Sequence, residues 1–205
     1  MAYQTGDNIL DNHYNDFATS VNAVWGSGSG DSGYGQTNTV SSVDTSTTVQ
    51  ASQWTTLLAR ISSAASHQGS SITSITNPSA GDQIEAFSAL STNIATITTN
   101  RLNVSSRATV AESNCSTTTT LGTSHITQTG NWTWGSTDQA RYFFNTGGRI
   151  SVRWDLSSFT ADSKANEWNT LASNCGTYYV NAQTSGKSGG GGSAATNNTN
   201  LGWHD

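Results

Sequence analysis

Ser52-Gln53-Trp54-Thr55-Thr56-Leu57-Leu58-Ala59-Arg60-Ile61-Ser62-Ser63-Ala64-Ala65-Ser66-His67-Gln68 carries its apolar residues at Trp54, Leu57, Leu58, Ile61, Ala64 and Ala65. That spacing wraps onto one side of a helix with about 3.6 residues per turn. Ser52 is the expected N-cap and Gly69 the expected stop. Working outward, the same period recurs on both sides. Leu10, Tyr14, Phe17, Val21 and Val24 predict a helix over 7–25, with Asp7 as cap and Gly26 as stop. Ile84, Phe87, Leu90, Ile94 and Ile97 predict a third helix after Pro78, and Asp82 and Glu85 have capping-box spacing. The glycine-rich stretch 26–35 reads as a shaped loop or a hinge, and the weak alternation over Thr39–Val49 as a short strand.

From 103 onward the pattern changes. Arg107–Ser113 and Ile126–Trp134 read as strands. Arg141–Trp154 reads as a hairpin, with Tyr142 and Phe144 on one arm, Ile150, Val152 and Trp154 on the other, and Asn145-Thr146-Gly147-Gly148 as its turn. Residues 162–175 read as a helix with Ala165, Trp168, Leu171, Ala172 and Cys175 apolar and Gly176 as stop, and Thr177–Ala182 as a last short strand. The expected fold class is therefore α+β: a helical N-terminal half with long loops, then a small antiparallel aromatic-rich β-sheet with one packed helix. The expected parts are 1–102, a helical attachment or oligomerisation region; 103–185, an aromatic-rich α+β domain; and 186–205, a Gly/Ser/Asn-rich linker and terminal strand.

Composition narrows the function. Charged residues make up 10% and hydrophobic ones 33% of the chain, against about 25% and 45–50% in an average domain. Ser, Thr and Asn fill the gap. The seven Trp, six Tyr and five Phe argue against disorder. A net charge of −5, with Lys164 and Lys187 as the lysines, gives no nucleic-acid footprint. No apolar run approaches the roughly 18 residues of a membrane span. Met1-Ala2-Tyr3-Gln4 opens no signal peptide, so synthesis in a cytoplasm is expected. Free thiols at Cys115 and Cys175 fit that compartment, a bridge between them being the open alternative.

No catalytic pattern emerges. Gly28–Gly33 satisfies G-x-G-x-x-G but follows a predicted helix, where a phosphate loop needs a strand. Gly186-Lys187-Ser188 lacks the first P-loop glycine, whose position is Asn181. His13, His67, His125 and His204 show no metal-ligand spacing, and His67 suits a helix C-terminus facing end carbonyls. The acids near the aromatic stretch (Asp138, Asp155, Asp162 and Glu167) stand singly, and no G-x-S-x-G elbow occurs. No enzyme activity, cofactor or metal is expected. Trp132, Trp134, Tyr142 and Trp154 are the candidate ligand or interface residues. With Phe143 and Phe144 they read first as sheet core and second as a sugar-stacking platform.

Several segments together resemble a known class. They are Gly6-Asp7-Asn8-Ile9, His13-Tyr14-Asn15-Asp16-Phe17, Trp25-Gly26, Gly30-Asp31-Ser32-Gly33-Tyr34-Gly35-Gln36, Gln53-Trp54, Leu58, Arg60-Ile61, His67-Gln68-Gly69, Arg141-Tyr142-Phe143-Phe144-Asn145, Gly147-Gly148 and Ile150. The set resembles virion structural proteins of tailed bacteriophages, especially those of aquatic hosts such as cyanobacteria. The resemblance spans about 1–180 and brings no catalytic residues. It implies a non-enzymatic part of the tail, neck or fibre apparatus, assembled in the host cytoplasm. Its partners would be other virion proteins and copies of itself, a trimer included. The alternative is a host-surface carbohydrate-binding or adhesion module that uses the aromatic hairpin, with a host glycan as partner.

Overall fold

A computed structural model describes residues 11–27, 32–37, 40–44, 48–82, 87–106, 132–156 and 163–190. The fold class is α+β, in the order α1 (Asp11–Trp25), α2 (Ala51–Gln68), α3 (Phe87–Thr99), α4 (Thr137–Asn145), β1 (Arg149–Arg153), α5 (Ser163–Cys175), β2 (Thr177–Asn181) and β3 (Ser185–Ser188). The chain forms two compact units. One is Met1–Arg107 with Ser136–Gly148, and the other is Ala108–Gly135 with Arg149–Asp205. The division is not contiguous in sequence, because 136–148 joins the helices. Among the described residues, no helix is long and apolar enough to cross a membrane.

In the first unit α1, α2 and α3 run parallel. At their N-terminal ends Tyr14 and Phe17 meet Trp54 at ring-centroid distances of 5.4 and 6.4 Å, and Phe87 lies 5.8 Å from Phe17 and 6.1 Å from Trp54. Further along, Trp25 Nε1 at the end of α1 donates to the Arg60 carbonyl midway along α2 at 3.2 Å, and Gln68 Nε2 at the end of α2 donates to the Ile97 carbonyl in the last turn of α3 at 2.8 Å. Tyr14, Val21, Val24, Leu57, Ile61, Leu90 and Ile97 are almost wholly buried between them. Those residues are the stripes that the 3.6-residue period predicts.

Parallel neighbours need long returns, because a short loop delivers the next helix antiparallel. Two extended segments run back along the helices and are pinned by asparagines. Asn22 donates to the Val40 carbonyl at 2.8 Å and accepts from the Val40 N–H at 3.3 Å. Asn15 does both with Val43, each at 2.8 Å. The second return repeats the device: Asn93 donates to the Thr73 carbonyl at 2.8 Å and accepts from its N–H at 2.9 Å, while Asn100 Nδ2 meets Ser70 Oγ at 3.0 Å. A primary amide has the donor and acceptor of a peptide group, so each clamp replaces a missing β-partner. The steps match: seven helical residues rise about 10.5 Å, and three extended residues cover about 10 Å. The described part of Thr39–Val49 is therefore a pinned extended segment rather than a strand.

Helix α2 is capped by Gln50, not by Ser52. The Gln53 side-chain oxygen reaches back to the Gln50 N–H at 2.7 Å and closes the first turn two residues earlier. Gly69 ends the helix as expected, at φ +67°, with Ser70 donating to the Ala65 carbonyl at 2.8 Å. The Asp7 cap, Ile84, Glu85, the Arg107–Ser113 strand, Cys115 and 191–205 lie outside the described residues. Asp82 is described, and its carboxylate accepts from the Ser79 N–H at 2.7 Å.

The Arg141–Trp154 hairpin is overturned. Tyr142 and Phe144 sit on helix α4, which Ser136 caps by accepting from the Gln139 N–H at 3.2 Å. Asp138 lies in the first turn and pairs with Arg141 at 3.0 Å, one turn on. Asn145-Thr146-Gly147-Gly148 is the end of that helix. The N–H groups of Gly147 (φ +84°) and Gly148 donate to the Phe144 and Phe143 carbonyls. A positive-φ glycine serves a helix stop as well as a tight turn, and here the cap upstream decides which. The described end of Ile126–Trp134 is likewise not strand.

In the second unit β1 pairs antiparallel with β2, Ile150 opposite Val180 and Val152 opposite Tyr178, and β2 pairs antiparallel with β3. Helix 162–175 and strand 177–182 are found within a residue, as α5 and β2, joined at Gly176 with φ +70°. Part of the expected linker is strand β3. Asn181 builds its turn, its side-chain oxygen accepting from the N–H groups of Gln183 and Thr184 at 2.9 and 2.8 Å. Gly186 leaves the space that the Tyr179 hydroxyl end occupies on the same face.

Candidate functional site

Three parallel helices bring three sets of unpaired C-terminal carbonyls, and the negative ends of three dipoles, to one place. The sequence supplies donors there. Tyr34 OH donates to the Arg101 carbonyl at 2.8 Å and accepts from Gln68 Nε2 at 2.8 Å. Gln68 is buried and also reaches the Ile97 carbonyl. Arg101 Nη1 donates to the Thr98 carbonyl at 3.3 Å, and the Ser105 N–H to the His67 carbonyl at 2.8 Å. The Tyr34 ring stands edge-on between Trp25 at 5.8 Å and His67 at 5.4 Å.

The loop after α1 is folded to deliver Tyr34. The N–H groups of Gly33, Tyr34, Gly35 and Gln36 donate to the carbonyls of Ser27, Val24, Gly26 and Trp25 at 2.7–2.9 Å. Burial pushes the Tyr34 hydroxyl above the ordinary tyrosine value, against the opposing pull of the Gln68 hydrogen bond and the Arg101 charge. Burial alone does the same to Tyr14, whose hydroxyl meets the Gln53 carbonyl at 3.3 Å.

Helix α4 docks on this end. Asn145 Nδ2 donates to the Gly33 carbonyl at 2.8 Å. His67 Nε2 lies 3.0 Å from the Thr146 carbonyl, so that nitrogen carries the proton. His67 does face an end carbonyl, but of α4 rather than of its own helix. The Tyr142 ring covers Gly35, whose φ of +70° and absent Cβ permit the approach.

The four candidate aromatics do not share one hairpin. Tyr142 is half-buried on α4 in the first unit, with the Arg141 guanidinium 5.0 Å over its ring. Trp132 and Trp134 are half-buried in the segment 132–134, and Trp154 is half-buried just past β1, all three in the second unit. The residues that do converge are Trp25, Tyr34, His67, Gln68, Arg101 and Asn145. Of these, Gln68 left a signal in the sequence: it is a polar residue on the stripe of Ile61, Ala64 and Ala65. Asn93 stands likewise among Leu90, Ile94 and Ile97. Tyr34 and Asn145 left none, because their partners are far away in sequence.

Comparisons with protein-family models, with curated proteins and with solved structures return no match.

Proposed function

We propose that this chain is a non-enzymatic structural component of a tailed-phage virion, in the tail, neck or fibre apparatus. It assembles as a homo-oligomer and contacts other virion proteins. One observation supports the reading. Trp25-Gly26, Gly33-Tyr34-Gly35-Gln36, His67-Gln68-Gly69 and Arg141–Gly148 carry the resemblance to phage structural proteins, and all meet where α1, α2 and α3 end. Their side chains are spent on joining segments of the chain to one another, which suits a scaffold. The test is quantitative mass spectrometry of purified virions from the phage that encodes the chain, with light scattering on the recombinant protein. A stoichiometric copy number and an oligomer are expected, and absence from virions overturns the reading. The half-exposed Trp132, Trp134 and Trp154 favour a second reading, a host-surface carbohydrate-binding module. Saturable quenching of tryptophan fluorescence by purified host glycan would support it, and a flat titration would reject it.

A further inference from the structure

We propose that α4 is a detachable strap: residues 136–148 release from the first unit together while α1, α2 and α3 stay folded. The inference does not depend on the virion reading. It comes from how differently the helices are held. The first three bury four, six and five residues, whereas no residue of α4 is buried. Elements with little buried apolar surface are the first to open in a native protein.

Polar contacts help to dock the strap, and Gly147, just past its helix, is buried. Asn145 holds the Gly33 carbonyl, His67 holds the Thr146 carbonyl, and the Tyr142 ring lies on the bare backbone of Gly35. Gly147 approaches the Leu102 carbonyl and Val104. Meanwhile the strap's start and stop are its own: Ser136 at one end, and Thr146 Oγ1 on the Tyr142 carbonyl at the other. A nine-residue helix is marginal alone in water, so undocking and unwinding coincide. Release uncovers the Gly33 carbonyl, the Gly35 backbone and the His67 edge, while Tyr34 keeps its bonds to Gln68 and Arg101.

Hydrogen exchange on the full chain, read by mass spectrometry, tests this. Amides in 139–146 should exchange at least ~100-fold faster than those in 57–65 and 91–97. Asn145→Ala should speed the strap about tenfold further and leave α2 and α3 within about twofold. Tyr142→Ala should do the same. Equal protection of the strap and α2 overturns the proposal. So does a variant that speeds all four helices alike, or one that fails to fold, since loss of a strap must spare the core.

Discussion

The buried Gln68 amide nitrogen bridges the Tyr34 hydroxyl and the Ile97 carbonyl, at 2.8 Å each. It joins the loop after α1 to the last turns of α2 and α3. Leaving such a group unpaired costs its desolvation. Gln68→Leu should therefore destabilise the first unit by about 1–3 kcal/mol, and Tyr34→Phe by about 0.5–1.5 kcal/mol. Urea midpoints read both, and an unchanged midpoint for Gln68→Leu would remove the bridge from the account.

Alkaline pH should destabilise the first unit. Tyr34 and Tyr14 are raised above 10.0 by burial in the folded chain. Folding thus favours their neutral form. That stability is full below the unfolded value and is lost as pH rises from there through the folded values. Thermal unfolding between pH 8 and 11 should show the drop begin near pH 10 and shrink in Tyr14→Phe/Tyr34→Phe. A double variant with the wild-type pH dependence would exclude these tyrosines as its source.

The asparagine clamps predict a ranking. Asn93 is buried, whereas Asn15 and Asn22 are half-buried. Asn93→Ala should cost about 2–3 kcal/mol and Asn22→Ala about 1 kcal/mol. Asn93→Asp should also be costly, because the carboxylate cannot donate to the Thr73 carbonyl. Denaturant titration of the three variants settles the order, and equal losses at both asparagines would contradict it.

Gly35 and Tyr142 should be coupled. A Cβ at Gly35 meets the Tyr142 ring and makes the existing φ of +70° unfavourable. Gly35→Ala should cost about 1–3 kcal/mol. In a Tyr142→Ala background the clash disappears and the backbone strain remains. A double-mutant cycle should therefore show coupling of at least ~0.5 kcal/mol, and strictly additive losses would place the ring elsewhere.

The four helices that rest on a 3.6-residue stripe or a strong stop, namely α1, α2, α3 and α5, were legible because apolar period is a local property. Helix α4 was not. Tyr142-Phe143-Phe144 has no period, and the Gly147-Gly148 pair fits either a turn or a stop. Only Ser136 and the Asp138–Arg141 spacing pointed to a helix. Strand β3, Ser185-Gly186-Lys187-Ser188, has linker composition, and its pairing with β2 is a tertiary effect. The junction was half legible. Gln68 and Asn93 break apolar stripes, but Tyr34 meets Arg101, and Asn145 meets Gly33, across distances that no local pattern spans.

The clamps also make the chain a gauge of its own length. Positions 15 and 22 on one helix answer to 43 and 40, and positions 93 and 100 to 73 and 70. One residue added within 41–42 or 71–72 would put the two amides of a pair out of step by about 3.3 Å, so that only one could engage. These two short stretches, with ordinary loop composition, are thus closed to insertions and deletions that a surface loop elsewhere would absorb.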